Sequence, residues 1–67
     1  MNKRLLRLHD RKKAVIKLSN DILEAADSDD RDLTPEETQS LEANEKELET
    51  LNTRIHHEES ISASVPA

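Results

Sequence analysis

Asp27-Ser28-Asp29-Asp30-Arg31-Asp32-Leu33-Thr34-Pro35-Glu36-Glu37 is the stretch that decides the fold. Its first six residues are polar, and the short Asp and Ser side chains among them compete with the backbone for hydrogen bonds, so they stop a helix in a chain that has no Gly to do so. The next five restart one. Thr34 supplies a capping hydroxyl, Pro35 suits the first helical position because its missing N–H has no intrahelical partner there, and Glu37 lies three residues after the cap, where it can reach back. Leu33, just before the cap, can staple onto the first turn.

Working outward, both flanks carry helical periodicity. On the N-terminal side Leu8, Val15 and Ile22 recur every seven residues, and Leu5, Leu18 and Ala25 widen this stripe. On the C-terminal side Leu41, Leu48 and Ile55 recur every seven, with Leu51 between them. Neither side alternates as a strand would. These spacings predict an all-α antiparallel two-helix coiled-coil hairpin over residues 1–59, with helix 1 at about 2–27, a turn at 28–34 and helix 2 at about 35–59. Residues 60–67, uncharged and rich in Ser, read as a flexible linker or processing segment.

Facing residues in an antiparallel pair have a constant sum of positions. Ile22 with Leu41, Val15 with Leu48, and Leu8 with Ile55 all sum to 63, which sets the register. The expected seam is therefore Leu5, Leu8, Val15, Leu18 and Ile22 against Leu41, Leu48, Leu51 and Ile55. Arg11 and Asn44 are expected at seam positions where apolar residues would pack best; polar groups there lower stability while fixing register or oligomeric state.

The charge is divided unevenly. Lys3, Arg4, Arg7, Arg11, Lys12, Lys13 and Lys17 against Asp10 alone give the first 20 residues +6, so the other 47 carry −11 of the total −5. This basic row is a candidate electrostatic contact for phosphates, an anionic surface, the acidic second helix or neighbouring copies. No groove-reading motif accompanies it, and nucleic acid is not the expected partner.

Composition excludes several functions. Without Cys there is no disulfide or thiolate site, and without Gly or aromatic residues there is no Gly-rich phosphate loop and no base-stacking platform. His9, His56 and His57 are too few and too divergent for a zinc site, since adjacent helical residues point about 100° apart. The spacing of Asp29, Asp30 and Asp32 lacks the Gly turn and distal Glu of a calcium loop. Acid-base catalysis requires a partly desolvated pocket that two helices without aromatics do not readily enclose, so neither an enzyme nor a cofactor is expected. The carboxylates read as a solvated face, helped by i, i+4 pairs such as Glu42 with Lys46. No apolar run is long enough to span a bilayer, and Lys17, Asp21 and Glu24 interrupt what would be a signal-peptide core, so a soluble, cytosolic chain is expected.

Arg31-Asp32-Leu33-Thr34-Pro35-Glu36-Glu37, followed by Leu41-Glu42-Ala43, Glu47-Leu48-Glu49 and Leu51-Asn52-Thr53-Arg54-Ile55, resembles the N-terminal scaffolding region, or delta domain, of tailed-bacteriophage major capsid proteins. Met1-Asn2-Lys3-Arg4-Leu5-Leu6 and Ala25-Ala26-Asp27 fit the same pattern. The resemblance covers about residues 1–59 and implies a built-in scaffold that brings capsid subunits together in the host cytoplasm. It would lie on the inner face of the procapsid and be removed by a maturation protease, so that the mature virion lacks it. The implied partners are other copies of the chain and neighbouring capsid subunits. Sixty-seven residues cannot hold the capsid body itself, and helix 1 is more basic than the family pattern. The competing expectation is a small regulatory hairpin that dimerises into a four-helix bundle, in the manner of Rop, and binds RNA or a protein.

Overall fold

A computed structural model describes residues 2–64: helix α1 spans Lys3–Ser28 and helix α2 spans Pro35–Ser64, packed antiparallel into a rod of 54 × 16 × 12 Å. Among the described residues there is no strand.

Each helix end follows from local chemistry. The Asn2 side chain accepts a hydrogen bond from the Leu5 N–H at 2.7 Å, capping α1. At the other end the Arg31 N–H donates to the Ala26 carbonyl (3.1 Å) and the Asp30 N–H to the Asp27 carbonyl (3.1 Å), the paired bonds of a Schellman turn. Asp30 occupies the left-handed position with φ 50°, where a chain containing Gly would usually place it; Asp is one of the few other residues that tolerates this geometry.

Helix α2 begins in a reciprocal capping box: the Glu37 N–H donates to Thr34 Oγ1 (3.1 Å), and the Thr34 N–H donates to Glu37 Oε1 (3.0 Å). Replacing Thr34 with Ala removes the hydroxyl acceptor and is expected to cost about 1 kcal/mol. Urea melts of the two chains measure this directly, and an unchanged midpoint would mean that the box contributes nothing in solution.

The second helix is longer than the sequence suggests. The segment expected to be a flexible tail from Ser60 is helical through Ser64, while Val65, Pro66 and Ala67 lie outside the described residues. Ser and Ala do not break a helix that is already propagating, since each added residue gains a hydrogen bond without a new nucleation cost. The start of α1 also lies beside this extension: Asn2 Nδ2 donates to Ser62 Oγ at 3.3 Å.

The core sits in the half of the rod away from the turn, where Leu5, Leu8, Val15, Leu51 and Ile55 form one buried cluster with Leu48 packed against it. Val15 is the fully buried side chain, at 0 % exposure. Toward the turn the packing thins to half-buried Ile22, Leu33 and Leu41, with Ala26 buried between the helix ends.

Candidate functional site

The seam between the helices is the feature of the rod that could carry function, and its residues follow two interleaved columns on each helix. On α1 these are Leu8, Val15, Ile22 and Leu5, Lys12, Ser19, Ala26; on α2 they are Leu41, Leu48, Ile55 and Glu37, Asn44, Leu51, Glu58. Every one of these residues is buried or half-buried. Only one of the two columns on each helix is apolar throughout.

Two expected seam residues lie elsewhere. Leu18 is 51 % exposed, and Ser19 takes its place. Arg11 is likewise exposed on the flank, and the half-buried residue is Lys12, whose aliphatic stem can cover apolar neighbours while its ammonium stays in water. The reason is the same for both. Positions 11, 18 and 25 precede the true column 12, 19 and 26 by one residue, about 100° round the helix. Ala25 is therefore exposed and Ala26 buried.

Asn44 does lie at the seam. Its Nδ2 donates to Ser19 Oγ at 3.1 Å, and that hydroxyl donates in turn to the Val15 carbonyl at 3.0 Å. The pair Ser19 and Asn44 also sums to 63, so this polar layer holds the same register as the apolar layers. A slip of one turn would leave both groups without each other in a partly dry seam, a cost that favours the observed alignment.

Charged pairs line the edges. Arg11 grips Glu47 in a two-pronged contact, Nε to Oε2 at 2.5 Å and Nη2 to Oε1 at 2.9 Å, and Arg4 reaches Glu58 at 3.3 Å. The Arg11 guanidinium holds the Glu47 carboxyl below its usual range, chiefly through the hydrogen bond between them. His9 Nε2 is 3.8 Å from Glu59 Oε1, which makes an ion pair only when His9 is protonated. Lys17 pairs with Asp21 at 3.2 Å along its own helix, while the expected Glu42–Lys46 pair is not formed. Three of the seven cations of the basic row are thus turned onto acidic partners within the hairpin. Lys3, Arg7, Lys12 and Lys13 take part in no ion pair among the described residues.

The turn has a clamp that the sequence did not single out. Arg31 donates from Nη1 to Glu37 Oε1 (2.6 Å), from Nη2 to Glu37 Oε2 (3.2 Å), and from Nε to Asp29 Oδ2 (3.2 Å). It also holds the Asp32 carbonyl at 3.1 Å, so one side chain joins the end of α1 to the start of α2. The Arg31 hydrogen bonds come first and the Thr34 N–H second in holding the Glu37 carboxyl at about 2, against its ordinary 4.5. Because the folded value lies below the unfolded one, this carboxylate's contribution is fully present above pH 4.5 and is lost as pH falls toward 2. A carbon-13 titration of the Glu37 carboxyl is expected to give a midpoint near 2 in the folded chain. A midpoint at the ordinary value would show that the clamp is not formed in solution.

The concavities are open grooves. One of about 450 Å³ lies beside the seam between Leu18, Ile22, Ala25, Ser40 and Asn44. It can seat an apolar side chain, but it does not enclose paired carboxylates in a dry pocket as acid-base chemistry would require. Among the described residues no group of three or more His, Asp or Glu is placed to hold a metal ion. No described helix is long and apolar enough to cross a membrane.

No known protein family, curated protein or solved structure matches the chain. Any functional reading therefore rests on the geometry and on the sequence pattern.

Proposed function

We propose that the hairpin is a structural assembly module, the built-in scaffolding domain of a phage major capsid protein, which promotes procapsid assembly through helix-helix contacts and is removed on maturation. The observation that carries this reading is the half-wet seam. A rod with one apolar column per helix, a polar layer at its centre and large side chains such as Leu18 and Leu23 about half exposed has little to hold it together alone. Such a rod gains stability when neighbours raise its local concentration. A shell of subunits supplies that concentration, and proteolysis that frees the rod withdraws it. The resemblance of the turn and second helix to delta domains supplies the biological setting.

A regulatory hairpin that dimerises and binds RNA is the second reading, favoured by Lys3, Arg7 and Lys13, which have no acidic partner among the described residues. The source reading frame separates the two. A long capsid-like coding sequence continuing after Ala67 is the expected result. A stop codon there, together with RNA affinity that falls steeply with salt, would replace the scaffold reading with the regulator.

A further inference from the structure

The rod is electrically polar from end to end. Residues 18–45, around the turn, carry ten carboxylates against Arg31 alone, a net −9, and the remainder carry +4 of the overall −5. Two such rods side by side attract when antiparallel and repel when parallel. Charge alone does not choose a face, but exposed apolar residues do.

Ile16 and Leu23 are 40 % and 48 % exposed, and they are seven residues apart on one side of α1. The same row continues through Lys13, Asn20 and Asp27, all exposed. In an antiparallel pairing of α1 with α1 from a second copy, centred between residues 19 and 20, Ile16 of each copy meets Leu23 of the other. Lys13 then falls within one residue of Asp27 across the interface. Neither Lys13 nor Asp27 takes part in an ion pair among the described residues, so both are available for this contact. A parallel pairing would instead place Lys13 against Lys13 and Asp27 against Asp27.

We propose that two copies of this chain pair in antiparallel fashion along the Ile16, Asn20 and Leu23 face of α1, with Lys13 of each copy opposite Asp27 of the other. The inference rests on the assembly reading and gives it a geometry. Two apolar side chains per copy make a small contact, well under the area of a standing dimer interface. Pairing therefore depends on high local concentration, and high salt weakens it because the flanking charges are exposed.

The chain has no native Cys, so single thiols report the geometry cleanly. In the full 67-residue chain, Asn20→Cys lies at the two-fold axis and is expected to cross-link to itself with a short bismaleimide. Lys13→Cys is expected to link to Asp27→Cys when the two chains are mixed, and not to itself. Lys13→Glu is expected to weaken pairing about fivefold or more, and adding Asp27→Lys restores it. Circular dichroism of each variant shows that the hairpin remains folded. Self-linking of Lys13→Cys, or no self-linking of Asn20→Cys at millimolar chain concentration, overturns the proposal. Chains that associate in another register remove this geometry alone, because the scaffold reading stands or falls on the reading frame.

Discussion

Val15→Asp is expected to abolish the helical hairpin. Val15 is the one described side chain with no exposed surface, and it sits in the cluster formed with Leu5, Leu8, Leu51 and Ile55. An aspartate there must either bury a carboxylate without a cationic partner or open the seam at its best-packed layer. The cost expected from burying an unpaired charge is on the order of 4 kcal/mol, a large fraction of what any small domain has. The far-ultraviolet circular dichroism of the variant should therefore be that of an unfolded chain at concentrations where the parent is helical. Leu18→Asp provides the contrast, since Leu18 is half exposed on the flank. If Leu18→Asp unfolds the chain and Val15→Asp does not, the columns assigned to α1 are wrong.

The second large effect runs the other way. Replacing Ser19 and Asn44 together with Leu removes the polar layer and continues the apolar columns through the middle of the rod. Both positions are half-buried, so the gain is discounted from full burial to about 2–3 kcal/mol for the pair. The stabilised chain should melt at higher urea but lose definition, because the layer that penalises a slipped register has been removed. Analytical ultracentrifugation is expected to show a broader set of oligomers than the parent. A double variant that is less stable would mean that the Ser19–Asn44 hydrogen bond contributes more than the apolar contact replacing it. Replacing Asn44 alone would be a poorer test, since it leaves the Ser19 hydroxyl without its donor.

These two predictions also mark where sequence reasoning worked and where it failed. The breaker at Asp27–Asp32 and the capping signal Thr34-Pro35-Glu37 were legible because they are local: each depends on side chains within a few residues of the backbone groups they satisfy. The register was legible too, since the apolar heptads of both helices and the polar pair Ser19 with Asn44 share one sum. The second column of α1 was not. Hydrophobicity favours Leu18 over Ser19 and does not separate Ala25 from Ala26 or Arg11 from Lys12, and only the partner helix, by presenting Asn44 opposite Ser19, shows which column is inside. Propensity failed at the C-terminal end for a similar reason. Ser60, Ser62 and Ser64 are weaker helix formers than Ala63 between them, yet the whole stretch extends a helix that has already been nucleated.

The turn shows a third limit. Arg31 looked like one more polar residue in a breaker, and nothing in its sequence spacing announces a guanidinium that bridges Asp29, Asp32 and Glu37 at once. The left-handed geometry at Asp30 is what brings Arg31 round to face the start of α2. The basic row is the reverse case. Its density in the sequence is compatible with an external anion, neighbouring copies or the acidic second helix, and only the fold shows Arg4 and Arg11 turned onto Glu58 and Glu47 of that helix and Lys17 onto Asp21 of its own. The surface available for partners includes the exposed apolar side chains of α1 and the cations beside them.

The central claim is that this rod depends on company. The most direct measurement is the helical signal at 222 nm across a dilution series of the full chain, from millimolar to sub-micromolar, with sedimentation equilibrium at the same concentrations. The account predicts that helicity and average mass rise together with concentration. Constant helicity with the mass of a monomer throughout would contradict it.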